Sequence, residues 1–107
     1  MKYLCLAYGD GKDWEVLSEA EKTELLANDQ KLIDRGDFVT ALEPTGAVVK
    51  AWDGVPTRGP IPFAPTSLPL VGFSIIEAES IEQVIDLVAD TPCARAKGAI
   101  EIRPLLM

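Results

Sequence analysis

Asp29 is the residue of this chain whose type and position best suit chemistry. It lies in a segment with helical periodicity, and at about 100° per residue it falls at the centre of the apolar helix face. The other members of this face are Leu25, Leu26, Leu32 and Ile33. A carboxylate among aliphatic side chains must be ion-paired, hydrogen-bonded or protonated, and such perturbed acids concentrate at functional sites. The alternatives are neutralisation by Lys22 or by an arginine of the sheet, or a helix end open to water.

Asp10 is the second candidate, because it stands where a predicted strand ends and the chain turns toward a helix. From there its side chain can point into a cleft, while a bond to its own turn backbone is the alternative. Together Asp10 and Asp29 could form an acid/base pair or hold a metal with water. Two carboxylates are a weak signal for an acid/base pair or for a metal site, and we predict neither a metal nor a cofactor.

The 107 residues include no histidine. This excludes Ser–His and Cys–His nucleophilic pairs and the usual general base at neutral pH. Catalysis would have to use carboxylates, lysine, tyrosine or cysteine. We expect Cys5 and Cys93 to be free thiols, and no basic group nearer than Arg95 would activate Cys93.

A proline-rich segment from Val55 to Pro69 is a candidate lid or binding loop, because long irregular connections in small domains are often functional. Within it, Phe63 and Thr66 are candidate walls of a small-molecule pocket. The alternative is that they only stiffen the connection or cover another subunit.

Three further residues are candidate ligand contacts. Arg58 and Arg103 could meet an anionic ligand, although a salt bridge to Glu101 or Glu77 is the simpler account of these arginines. Trp14 could contact the ligand, or it could serve the core or a dimer contact.

Composition limits the class of protein. With 48% apolar and 25% charged residues, the chain is a folded globular protein, and its length predicts a single domain over residues 1–107. A net charge of -7 argues against nucleic-acid binding. No apolar run is long enough to cross a bilayer and the amino terminus is too short for a secretory signal, so we predict a cytoplasmic protein without a membrane partner.

The first half of the chain predicts a strand, a helix and two further strands. The strand covers Lys2 to Tyr8, and the helix begins with the capping box of Ser18 and Glu21 and continues to about Arg35. We expect a strand from Phe38 to Leu42 and its antiparallel partner from Ala47 to Trp52, joined by a turn at Pro44-Thr45-Gly46. Asp53-Gly54 is a second turn signal.

The second half predicts a strand, a helix and a final strand. Val71, Phe73 and Ile75 alternate as in a strand, and Ser80 and Gln83 have the spacing of a second capping box. The apolar stripe of that helix is Ile81, Val84, Ile85 and Val88. Thr91-Pro92 ends the helix, and Ala99 to Arg103 forms the last strand.

This order is the split βαβ pattern of a ferredoxin-like α+β sandwich, with both helices on one face of an antiparallel sheet. Several strands are apolar on both faces, so the face without helices needs another cover. We therefore predict a homodimer.

The chain resembles the YCII-related family, in particular its DGPF-domain branch. The resemblance lies in the opening from Met1-Lys2-Tyr3-Leu4 to Tyr8-Gly9-Asp10, followed by Trp14, Leu17-Ser18 and Glu21; in Asp53-Gly54 through Pro62-Phe63-Ala64, Thr66 and Gly72-Phe73; and in Pro92, Arg95, Gly98 and Ile100-Glu101-Ile102-Arg103-Pro104. The naming motif Asp-Gly-Pro-Phe is replaced by Pro60-Ile61-Pro62-Phe63. Family members often carry His or Tyr at the position matching Asp29.

The resemblance implies a dimer of the dimeric α/β-barrel type, with a cleft proposed as an active site and no well-established reaction. Three hypotheses follow: a homodimer that binds a small organic ligand near the first helix and the proline-rich loop, a carboxylate-based acid/base enzyme, or a non-catalytic regulatory module associated with an extracytoplasmic-function sigma factor. The absence of histidine and of the motif acid favours a protein without catalysis. An open polar pocket around Asp29 would favour the first two hypotheses, and a filled interface the third.

Overall fold

The computed structural model describes residues 1–106, which contain six strands and four helices. In chain order these are β1 (Lys2–Tyr8), α1 (Gly11–Glu15), α2 (Glu19–Asp34), β2 (Phe38–Ala41), β3 (Val48–Lys50), β4 (Thr57–Gly59), β5 (Leu70–Glu77), α3 (Ile81–Val88), α4 (Pro92–Arg95) and β6 (Ala99–Pro104). None of these helices combines the length and apolarity that a bilayer-spanning helix requires.

Four strands form an antiparallel sheet in the order β2-β5-β1-β6. With α2 between β1 and β2, and α3 between β5 and β6, this is the ferredoxin-like arrangement, and the α+β prediction is confirmed. Within the described chain this four-stranded sheet is open. Strand β1 lies between β5 and β6, as expected from its apolar residues on both faces.

Both long helices cover the same face of the sheet, which we call the inner face. Tyr3, Cys5 and Ile76 project from it and form one core cluster with Leu32 of α2 and Val84 of α3. Ile76 and Val84 are fully buried. Each such side chain contributes about 1.5–3 kcal/mol through the apolar area it removes from water, so this cluster holds the helices on the sheet.

Helix α2 has the predicted boundaries. The Ser18 hydroxyl accepts a hydrogen bond from the Glu21 backbone N–H (3.1 Å), and the Glu21 carboxylate accepts one from the Ser18 N–H (3.0 Å), which completes the capping box. At the other end Gly36 adopts φ +99°, a left-handed conformation that terminates the helix.

Helix α3 follows its prediction only in part. Ser80 caps the N–H of Gln83, but the Gln83 side chain accepts from the Glu79 N–H, so the second capping box is incomplete. Val84 is buried, whereas Ile85 is 49% exposed. The helix is therefore buried along a narrower stripe than the spacing predicts.

The expected pairing of the second and third strands is wrong. β2 pairs with β5, while β3 pairs with β4 in a separate two-stranded sheet whose connecting loop contains Gly54 at φ +86°. The proline-rich segment thus includes a short strand. We call residues 43–69 the arm, because β3 and β4 pack chiefly on each other.

The opposite side of the sheet, the outer face, carries apolar side chains and no helix within the described chain. These side chains are Leu4, Leu6, Phe38, Phe73 and Ile75, which the strand registers place on one side. The rings of Phe38 and Phe73 contact each other, with centroids 5.6 Å apart, and Phe38 is 57% exposed. The outer face is therefore an uncovered apolar surface.

Candidate functional site

A cavity of about 620 Å³, the cleft, lies between α2, the inner face of the sheet and α4. Small side chains form its floor, and these are Cys5, Ala7, Ala41, Gly72 and Ser74. Because these residues are small, the helices that rest on the larger core residues leave space above them. The volume falls within the range of roughly 300–1,000 Å³ that is usual for small-molecule sites.

The walls of the cleft come from helices on two sides. Helix α2 supplies Leu26, Asp29, Leu32 and Ile33, and the facing segment supplies Val88, Thr91, Pro92, Cys93 and Ala96. Asp10, Gly11 and Trp14 lie where β1 meets α1. Most of the lining is therefore apolar, with carboxylates at two points.

Asp29 projects from α2 into the cleft and is half-buried. Lys22, one of the alternative neutralising partners, instead lies 3.7 Å from a Glu15 oxygen and 3.6 Å from a Glu19 oxygen. Among residues 1–106 the Asp29 carboxylate has no salt-bridge partner. Burial raises the pKa of Asp29, because desolvation disfavours its charged form.

Cys93 faces the same cavity from α4. A Cβ placed on Gly9 would lie 3.2 Å from its Sγ, so the thiol packs directly over the end of β1. Burial raises the pKa of Cys93, and the negative charge of Asp29 raises it further. Cys93 is therefore a thiol at neutral pH and a poor nucleophile.

Asp10 bonds to the backbone of its own turn, which was the alternative to a role in a cleft. Its Oδ1 accepts a hydrogen bond from the Lys12 backbone N–H (2.9 Å) and caps α1. It still lines the cleft, together with Trp14 and Asp29. The structure therefore brings three of the seven predicted site residues to one cavity.

The other four predicted residues lie away from the cleft lining. Arg103 pairs with Glu101 at 3.2 Å, as its alternative reading foresaw. Arg58 lies on β4, Thr66 donates its hydroxyl hydrogen to the Leu68 carbonyl, and Phe63 is 69% exposed. Within one chain, the described part of the arm contributes nothing to the cleft, because β3 pairs with β4 instead of folding back along β2.

The wall around Thr91 and Cys93 has no counterpart in the sequence-based prediction. Thr91 is buried, and its hydroxyl donates to the Val88 carbonyl (2.6 Å). The Asn28 side chain on α2 donates to the Asp90 carbonyl (2.9 Å), which ties the two walls together. The signal that could have revealed α4 is Thr91-Pro92, since proline favours the first turn of a helix.

The side chains that line the cleft include few potential metal ligands. Among the described residues, no group of three or more His, Cys, Asp or Glu side chains is close enough together to hold a metal ion. The cleft lining also includes no lysine or arginine.

The sequence matches the profile of the YCII-related domain over residues 1–107. The chain belongs to the YCII-related family. No curated protein matches this YCII-related chain by sequence. Among solved structures it is similar to 5-chloro-2-hydroxyhydroquinone dehydrochlorinase from Burkholderia phenoliruptrix AC1100 in complex with 2,5-dihydroxybenzoquinone, at TM-score 0.51 and 18% identity, covering 98% of this chain and 93% of that one. At this identity the similarity shows a shared fold.

Proposed function

We propose that this YCII-related protein is a homodimer that binds a small organic ligand in the cleft. The observation that carries the proposal is the half-buried Asp29 carboxyl, which lies without a salt-bridge partner among residues 1–106 in the wall of a largely apolar cavity of about 620 Å³. A hydrogen-bonding group in an otherwise apolar pocket fixes the orientation of a ligand.

The pocket around Asp29 is mostly apolar instead of polar as expected, but its open space supports a ligand site over a module that only mediates protein contacts. A docking surface for another protein would not need a hollow of this volume with an acid directed into it. The apolar outer face supports the homodimer, because a second copy would cover Leu4, Leu6 and Ile75.

A carboxylate-based acid/base enzyme is the second candidate. The raised pKa of Asp29 supports it, since a carboxyl that titrates nearer to neutral pH is a better proton donor and acceptor. Chemical change of a bound compound by the wild type, but not by Asp29→Asn, would establish this role. Unchanged compound recovered from both proteins would leave binding as the function.

The proposed binding role is tested with N-phenyl-1-naphthylamine, a neutral probe whose fluorescence increases in apolar surroundings. Ala41 lines the cleft on the exposed end of β2, so Ala41→Trp fills the cavity without displacing a buried side chain. We expect this variant to weaken probe binding about tenfold or more, which corresponds to the loss of about 1.4 kcal/mol of contact.

Val49→Ser is the matched control, because Val49 is 69% exposed on the arm and lies outside the cleft lining. It should bind the probe like the wild type. Unchanged binding by Ala41→Trp, or loss of binding in Val49→Ser, would place the probe elsewhere and overturn the proposal.

A further inference from the structure

The charged groups of the cleft have one sign. Asp10 and Asp29 both line it, and within the described residues the lining includes no lysine or arginine. The whole chain has a net charge of -7, so its long-range field also attracts cations and repels anions. An anionic ligand would enter against both charges without a cation to receive it.

A neutral ligand without a hydrogen-bond donor fits the cleft hardly better. It would displace water from around the Asp29 carboxylate without supplying a partner, and leaving a polar group unpaired in an apolar site is costly. Lys22 could neutralise Asp29 only by giving up its ion pairs with Glu15 and Glu19, which costs free energy. The ligand itself must therefore bring a hydrogen-bond donor, and a cationic donor also brings the complementary charge.

The remaining lining suits a cation with an apolar body. Trp14 lines the cleft, and an indole face attracts ammonium groups. Leu32 and Ile33 flank Asp29 on α2, and Val39 lies across from them on β2. One end of the ligand would meet the carboxylate and the rest would bury apolar surface.

We infer that the ligand of this cleft is an organic amine in its ammonium form, with the ammonium at Asp29 and the hydrocarbon body on the sheet floor. This inference rests on the proposed binding function and specifies its ligand class. The ammonium group donates hydrogen bonds to the Asp29 oxygens, in place of those from the water that the hydrocarbon body displaces. Charge pairing and burial of apolar surface therefore both favour binding.

The test compares three compounds that share one ring system and differ in a single group: 1-naphthylmethylammonium, 1-naphthylmethanol and 1-naphthoate. Each is titrated into the full chain at pH 8 as a competitor of N-phenyl-1-naphthylamine. We expect the ammonium to compete about tenfold or more better than the alcohol, since a charge-assisted hydrogen bond is about twice as strong as a neutral one. The carboxylate should compete least.

The decisive variant is Asp29→Asn, which keeps the size of the side chain and removes its charge. It should weaken the ammonium about tenfold and change the alcohol about twofold or less, whereas Glu24→Gln, on the exposed side of the same helix, should change neither. An alcohol as strong as the ammonium, no competition by any of the three, or an unaffected ammonium in Asp29→Asn would overturn the amine assignment.

These outcomes are separable from failure of the binding role itself. If Ala41→Trp still blocks the naphthylamine probe while the ammonium shows no advantage, the cleft is a binding site for another class of ligand. If the probe does not depend on the cleft at all, both the proposed function and the amine inference are wrong.

Discussion

Asp29 carries most of the functional argument, and helix geometry explains why. Asp29 is three residues from Leu26 and four from Ile33, so all three lie on the face of α2 that is directed toward the floor of the cleft. The floor beneath it is made of small residues, so the carboxyl meets a hollow instead of a packed core. The folded protein thus holds a partly desolvated carboxyl at this position, with no salt-bridge partner among residues 1–106. Such acids are typical of binding or catalytic sites.

Asp29→Asn should stabilise the folded protein at pH 7 by less than about 1 kcal/mol, because it removes a charge that is only partly desolvated and still screened by solvent. The pKa of Asp29 is raised above its ordinary value of 3.8, so the folded state holds the proton to higher pH than the unfolded chain does. The contribution of Asp29 to wild-type stability therefore falls as pH rises from 3.8 through the raised folded pKa, and the variant lacks this fall. The other titratable groups that line the cleft are Asp10, Cys5 and Cys93.

Urea unfolding at pH 4 and pH 8, at fixed protein concentration, measures this difference. The gap between Asp29→Asn and wild type should be larger at pH 8, and Glu24→Gln should show no such gap, since Glu24 is exposed. Equal stability of Asp29→Asn and wild type at both pH values would mean that the carboxyl is fully solvated.

At the scale of elements, the capping box of α2 fixes where the helix starts and thus which residues face the cleft. Ser18→Ala removes the acceptor for the Glu21 N–H and should cost about 1 kcal/mol, or roughly 4–8 °C in Tm. Thermal unfolding followed by circular dichroism checks this, with Ser67→Ala in the exposed arm as a control that should not change Tm. A fall in Tm of equal size in both variants would contradict a specific role for the cap.

The sequence predicts most elements of this fold because their signals are local. The apolar run in Lys2–Tyr8, the cap at Ser18 and the stop at Gly36 each depend on a few neighbouring residues, and the structure has all three. The choice of strand partner is not local. A turn at Pro44-Thr45-Gly46 makes a β2–β3 hairpin plausible, but β2 gains a partner in β5, 30 or more residues away, whose apolar side chains continue the same two faces.

The difference between local and long-range signals also explains which of the predicted site residues lie in the cleft. Asp10, Trp14 and Asp29 reach the cleft because each depends on its own helix or turn. Arg58, Phe63 and Thr66 were expected there through the folding of a long loop, which sequence spacing does not determine. Cys93 was considered only as a thiol, and its position in the cleft wall was not predicted, because the four residues of α4 are too few to show helical periodicity.

At the scale of the whole molecule, the chain is more extended than a compact domain of its length. Its radius of gyration is 15.7 Å, whereas a compact chain of this length has one of about 13 Å. The arm accounts for the difference, and it exposes Trp52 (87%) and Val49 (69%) to solvent. Lys50 Nζ lies 5.3 Å from the Trp52 ring centroid, so this part of the arm presents aromatic and cationic groups together.

The homodimer proposal makes a prediction for the outer face. Ile75 lies opposite Leu4 in β1 and Phe38 in β2, at the centre of this face, and it is outside the cleft lining. Ile75→Asp places a charge where a second copy would bury apolar surface, so light scattering after size exclusion should report a mass near 11.6 kDa instead of twice that value. Ile85→Asp makes the same chemical change at an exposed position of α3, on the other side of the sheet, and should remain dimeric. A dimer that survives Ile75→Asp but dissociates in Ile85→Asp would move the interface to the helical side, and the outer face would then need another cover.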